Sequence, residues 1–116
     1  MSHDFSVEIE DSSKENAKVV HLNGELDELS IESLKEDIDP LLSNRSLTEL
    51  ILDLSNLEFI NSKGIGYIVS IHTHLAKDGR VMKLASANEA VMDVISLVGL
   101  TTIIPYFTTL DEAKNA

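Results

Sequence analysis

The stretch ELILDLS, residues 49–55, constrains the fold more than any other part of the chain. It is a short, almost wholly apolar run of the length of a strand, interrupted by Asp53 near its carboxyl end. A run of this kind reads as a buried strand. Helical patterns flank it. Upstream, Ile31, Leu34, Ile38, Leu41 and Leu42 recur at helical spacing; downstream, Ile65, Ile68, Val69, Ile71, His72, Leu75 and Ala76 form a broad apolar face. A buried strand between two amphipathic helices implies strand–helix–strand units and hence an α/β chain with parallel crossovers.

The remaining segments extend that alternation. Phe5, Val7 and Ile9 alternate with polar residues and predict a first strand with one buried face. After the polar loop EDSSKENA comes AKVVHL, a second strand that NGELD ends, and the two pair as a hairpin with a long connection. Asp27 or Ser30 caps the first helix, and Pro40 kinks or ends its regular part because it lacks an N–H. Gly79 closes the second helix. VMKLA is a strand, and SANEAVMDVISLVGL is a helix with the Ser86–Glu89 capping signature. Ala90, Val91, Val94, Ile95 and Val98 form its apolar face, and Gly99 ends it. TTIIPYF gives a last strand closed by Pro105, and TTLDEAKNA a short helix capped by Thr108 or Thr109. The predicted order is β-β-α-β-α-β-α-β-α.

Length and composition narrow the function. A chain of 116 residues, 43% hydrophobic, reads as one globular domain, residues 1–116. No apolar run approaches the ~18 residues of a membrane span, and MSHDFSVEIE lacks the basic and apolar regions of a signal peptide. The absence of cysteine fits a cytoplasmic protein. A net charge of -11 repels phosphate backbones, which argues against nucleic-acid binding. It suits partners with basic patches, or simply solubility.

Chemistry in such sheets gathers beyond the carboxyl ends of the strands. FINSKGIG, residues 59–66, lies there, where a helix opens with two glycines. Two capping registers compete. With Ser62 as N-cap, its hydroxyl is occupied by a backbone N–H. With Asn61 as N-cap, Ile60 and Ile65 fall at the staple positions and Ser62 stands at N1 with a free hydroxyl. The second register accounts for more residues. A hydroxyl at N1 is well placed to carry a phosphate, since first-turn N–H groups lack acceptors and the helix dipole favours negative charge. Gly64 and Gly66 each cost up to ~1 kcal/mol relative to Ala. They read either as clearance for a partner or as a device that lets the helix lie close to the sheet. Asp53 could pair with Asn61 or a loop amide, and Glu25 and Asp27 are caps or surface contacts. His72 and His74 are a poor metal pair at i,i+2, while His3 and His21 stand isolated. No metal set, cofactor loop or nucleophile–base pair points to an enzyme.

Three segments carry a resemblance: LNGELD (22–27), LILDLSNLEFINSKGIGYIV (50–69) and GRVMKLASANEAVMDVISLVGL (79–100). Together they resemble the STAS domain of bacterial anti-sigma factor antagonists. The resemblance implies a STAS-type fold, a mixed four- to five-stranded sheet with helices packed mainly on one face. The family stretch after the third strand reads Asp-Ser-Ser/Thr-Gly-Leu-Gly, and its first Ser is phosphorylated by a partner that is both anti-sigma factor and serine kinase. Ser62 matches that phosphoacceptor, Gly64 and Gly66 match the glycines, and Asp53 matches the aspartate of the DLS element. The implied function is a switch without catalysis or cofactor. The unphosphorylated form occupies the kinase and frees the sigma factor; the phosphorylated form lets go until a PP2C-type phosphatase resets it. The chain would act as a monomer or weak dimer, without direct contact to nucleic acid or membrane. Two departures stand out: Asn61 replaces an aspartate, and Lys63 replaces Ser or Thr. They leave room for a non-phosphorylated interaction or scaffold module, or for a small-ligand sensor.

Overall fold

The computed structural model describes residues 5–116. Strands β1 (Ser6–Asp11), β2 (Ala17–Leu26), β3 (Glu49–Ile60), β4 (Val81–Ala85) and β5 (Tyr106–Phe107) form one five-stranded sheet in the order β1-β2-β3-β4-β5. β1 runs antiparallel to β2, and every other neighbouring pair is parallel. The mixed sheet and the opening hairpin are as the sequence predicts. Helices α1 (Ile31–Ser43), α2 (Ser62–Ala76), α3 (Glu89–Leu97), α4 (Leu100–Ile103) and α5 (Leu110–Asn115) connect and cover it.

Strand parity sorts the core into two layers. Val20, Leu22, Leu50, Leu52, Met82 and Leu84 face Leu34, Ile38, Ile68, Ile71, Leu75, Val91 and Ile95 of α1, α2 and α3. Val19, Ile51 and Ala85 point the other way, against Ala113 and Leu110 of α5. The helices thus lie mainly on one face, with α5 alone on the other. Lys83 holds α5 there, donating to Ala113 O at 3.0 Å while pairing with Glu49 at 3.1 Å.

Several boundaries differ from expectation. β3 does not stop with the 49–55 stretch but runs on to Ile60. Its register against β2 shifts between His21 and Asn23 and again between Gly24 and Glu25. These bulges break the two-residue alternation, so Leu57 and Ile60 are buried while Ser55, Asn56, Glu58 and Phe59 are exposed. β2 likewise continues past Leu22 to Leu26. Pro40 does not end α1, which runs three residues further; Pro40 lies on the exposed side. Arg80 donates to the carbonyls of Leu42 (3.1 Å) and Asn44 (3.3 Å) at the close of α1. Gly79, at φ 74, ends α2 as predicted: its N–H reaches Ala76 O, and that of Arg80 reaches Leu75 O. The cap of α3 is Asn88, which accepts from Val91 N–H at 2.8 Å, not Ser86. Ala90 is exposed rather than on the apolar face. TTII is not a strand: left-handed Gly99 starts the short α4, which buries Leu100 and Ile104, and Pro105 precedes β5 instead of closing it. α5 is capped by Thr109, in a reciprocal box with Glu112.

Candidate functional site

The junction of β3 and α2 resolves the competing registers in favour of Asn61. Its backbone is extended (φ -111, ψ -176), and its side-chain oxygen accepts from Gly64 N–H at 3.0 Å. Its carbonyl accepts from Ile65 N–H at 3.0 Å, and its own N–H donates to Leu26 O at 3.2 Å. The Asn61 amide also donates to Glu28 at 3.4 Å. Ile60 is buried and Ile65 packs on the same core, the staple arrangement.

Ser62 is therefore the first residue of α2, and it is exposed. Among the described residues no hydrogen bond engages its hydroxyl, and the N–H groups of Ser62 and Lys63 meet no backbone acceptor. Two orphan donors of the helix end thus stand beside a free hydroxyl. Lys63 is exposed in the same turn, where a cation opposes the helix dipole.

The two glycines do different jobs. A Cβ on Gly64 would stand 2.7 Å from the Leu26 carbonyl oxygen, 2.9 Å from Leu26 Cγ and 3.0 Å from Ile60 Cγ1. Gly64 is buried, so it seats the helix against the end of β2 and gives no clearance to a partner. At Gly66 a Cβ would meet nothing within 4 Å, and the position is exposed. Clearance remains a reading for Gly66 alone.

The loop from β2 to α1 flanks this turn, since Glu25 stands opposite Phe59, and Leu26 opposite Ile60, in the sheet register. Asp27 is buried, and its carboxylate accepts from the N–H groups of Leu29 (3.0 Å) and Ser30 (3.2 Å). It shapes the loop from within and is no surface contact. Ser30 occupies the N-cap position of α1 without capping it; its hydroxyl donates to Glu25 O at 2.7 Å. The loop thereby carries Leu29 at 67% exposure, and Phe59, opposite Glu25 in the sheet register, is 48% exposed.

Asp53 is not part of this turn. It lies seven residues before the end of β3, about 23 Å away at ~3.3 Å per residue. It pairs with neither Asn61 nor a loop. Its carboxylate accepts from the Ser55 N–H at 3.1 Å and lies 2.6 Å from His21 Nδ1. His21 is consequently not isolated, and its other nitrogen meets Glu10 at 3.0 Å. The signal was available: His21 and Asp53 are each the fifth residue of their strand, and the parallel register pairs Ala17 with Glu49. His3 lies outside the described residues. No group of three His, Cys, Asp or Glu able to hold a metal occurs among the described residues, and none of their helices is long and apolar enough to cross a membrane.

Comparison with known proteins identifies the family. The STAS domain family model matches residues 8–113, and the chain belongs to that family. It is similar to the anti-sigma F factor antagonist of Paenibacillus polymyxa, with 27% identity over 112 residues, 97% of this chain and 93% of that protein. The anti-sigma-B factor antagonist of Bacillus subtilis is 26% identical over 100 residues, covering 86% and 90% of the two chains. The crystal structure of an anti-sigma factor antagonist from Mycobacterium paratuberculosis superposes with a TM-score of 0.85, at 26% identity over 97% of this chain and 96% of that one. All three are named as antagonists of anti-sigma factors.

Proposed function

We propose that the protein is an anti-sigma factor antagonist, a single STAS domain of the cytoplasm that is switched by phosphorylation of Ser62. The observation that carries this reading is the exposed Ser62 hydroxyl, without a hydrogen bond among the described residues, at the N1 position of α2. Unphosphorylated, the chain binds an anti-sigma factor that is also a serine kinase and so releases the sigma factor. Leu29, Phe59 and the open side of Gly66 supply the contact surface around the acceptor. A phosphate brings roughly -1.5 to -2 charges to that surface. The helix end offsets this locally by ~0.3–1 kcal/mol. An interface closed over the same spot has no such compensation and must bury the charge. The complex therefore dissociates, and a PP2C-type phosphatase restores the binding form. The protein acts as a monomer or weak dimer.

The test is the affinity of three forms for the cognate anti-sigma factor, measured by calorimetry. Wild type and Ser62→Ala should bind alike, and Ser62→Asp should bind more weakly. Equal affinity of all three would refute the charge switch.

A further inference from the structure

A second polar constellation lies on the sheet face that α5 only partly covers. His21, on β2, is held between carboxylates from both neighbouring strands. Its Nδ1 is 2.6 Å from Asp53 of β3, and its Nε2 is 3.0 Å from Glu10 of β1. Asp53 is buried and further fixed by the N–H and hydroxyl of Ser55, at 3.1 and 3.2 Å. Glu10 is half exposed. Among the other groups on this face, Lys14 lies 3.8 Å from Glu49 and donates to Ala116 O. Glu8 stands opposite His21 in the β1 register. Glu49 and Lys83 hold each other at 3.1 Å, and α5 meets the sheet with Ala113 and Leu110, which carry no charge.

A neutral imidazole has one N–H and can donate to one acceptor only; the imidazolium donates from both nitrogens. Both ring nitrogens here meet carboxylate oxygens, so the geometry calls for the protonated ring. We propose that His21 is a proton-operated clasp, tying the edge strand β1 to β3 across β2 when protonated and releasing Glu10 when neutral. Which bond fails follows from burial. Leaving the buried Asp53 without its donor costs more than leaving the exposed Glu10. The single remaining proton therefore stays on Nδ1, and the Nε2 lone pair is turned towards Glu10. β1 is the strand to loosen, since among the described residues it pairs in the sheet with β2 alone and most of its residues are exposed. Its release uncovers the outer edge of β2 for pairing with another strand.

Burial by itself lowers the pKa of His21, but the hydrogen bonds and charges of Glu10 and Asp53 outweigh it, and the net shift is upward from 6.5. A raised folded-state pKa stabilises fully below the unfolded value, and the stabilisation is lost as pH rises through the folded one. Each unit of upward shift corresponds to about a tenfold change in the folding equilibrium.

The test is an NMR titration of the full chain, following the His21 ring and the amide protection of β1, corrected for intrinsic exchange. The expected result is a His21 midpoint above 6.5, with β1 protection falling across that midpoint. Glu10→Gln should lower the midpoint and shrink the loss of protection, and His21→Gln should abolish its pH dependence. A wild-type midpoint at or below 6.5, or β1 protection that does not change across it, overturns the proposal. The same loss in His21→Gln also overturns it, by tracing the effect to another group. The wild-type titration decides the matter even if the variants fail to fold.

Discussion

Gly64 and Gly66 lie two residues apart in one helix, yet the same substitution should act on them with opposite sign. In Gly66→Ala the new methyl enters open space. The variant should gain helix propensity of up to ~1 kcal/mol. Gly64→Ala gains the same propensity but places its Cβ 2.7 Å from the Leu26 carbonyl oxygen. That oxygen belongs to the backbone of β2 and also accepts the Asn61 N–H at 3.2 Å, so it cannot withdraw without weakening the helix entry. Overpacking of this kind costs about 1–3 kcal/mol, and the hydrogen bond to Asn61 contributes about 1 kcal/mol more. Less the propensity gain, Gly64→Ala should be destabilised by about 1–3 kcal/mol. Urea unfolding followed by circular dichroism measures both variants, and unchanged m-values would mark the shifts as changes in stability. If Gly64→Ala is as stable as Gly66→Ala, the close approach to Leu26 does not constrain the helix and the packing argument fails. Binding to the anti-sigma factor adds a second reading. Gly66→Ala should bind more weakly while being more stable, because its methyl projects from the turn that carries Ser62.

Two further perturbations probe the same turn. Asn61→Ala removes the acceptor of the Gly64 N–H and should cost ~1 kcal/mol of stability, read as a lower urea midpoint. Lys63→Gln removes an exposed first-turn cation. It should stabilise the unphosphorylated chain by ~0.3–1 kcal/mol at low salt, and the gain should shrink in thermal melts as salt screens the dipole.

The sequence carried the architecture where one physical signal dominated. The apolar run of β3, the helical stripes of α1 and α2 and the glycine at the end of α2 are each single-cause patterns, and each appears in the structure. The register at Asn61 was legible for the same reason, since the staple and the cap point to one assignment. What was hidden depended on chain segments distant in sequence. The extension of β3 through residues 55–60, beyond the apolar run, rests on a bulged pairing with β2. The β-branched residues of TTII suggested a strand, but burial of Leu100 and Ile104 one helical turn apart favours α4. Gly64 needs the Leu26 carbonyl to reveal its role. His21 looked isolated because both its partners come from other strands. The free hydroxyl was therefore accessible to sequence reasoning, while the packing that frames it was not.

Whether Ser62 is the phosphoacceptor of a partner switch is decided by phosphosite mapping. The protein would be incubated with its cognate anti-sigma factor and ATP and then analysed by tandem mass spectrometry. One phosphate per chain is expected, located on Ser62, and none on Ser62→Ala. Unmodified wild type, or equal modification of Ser62→Ala, would contradict that assignment.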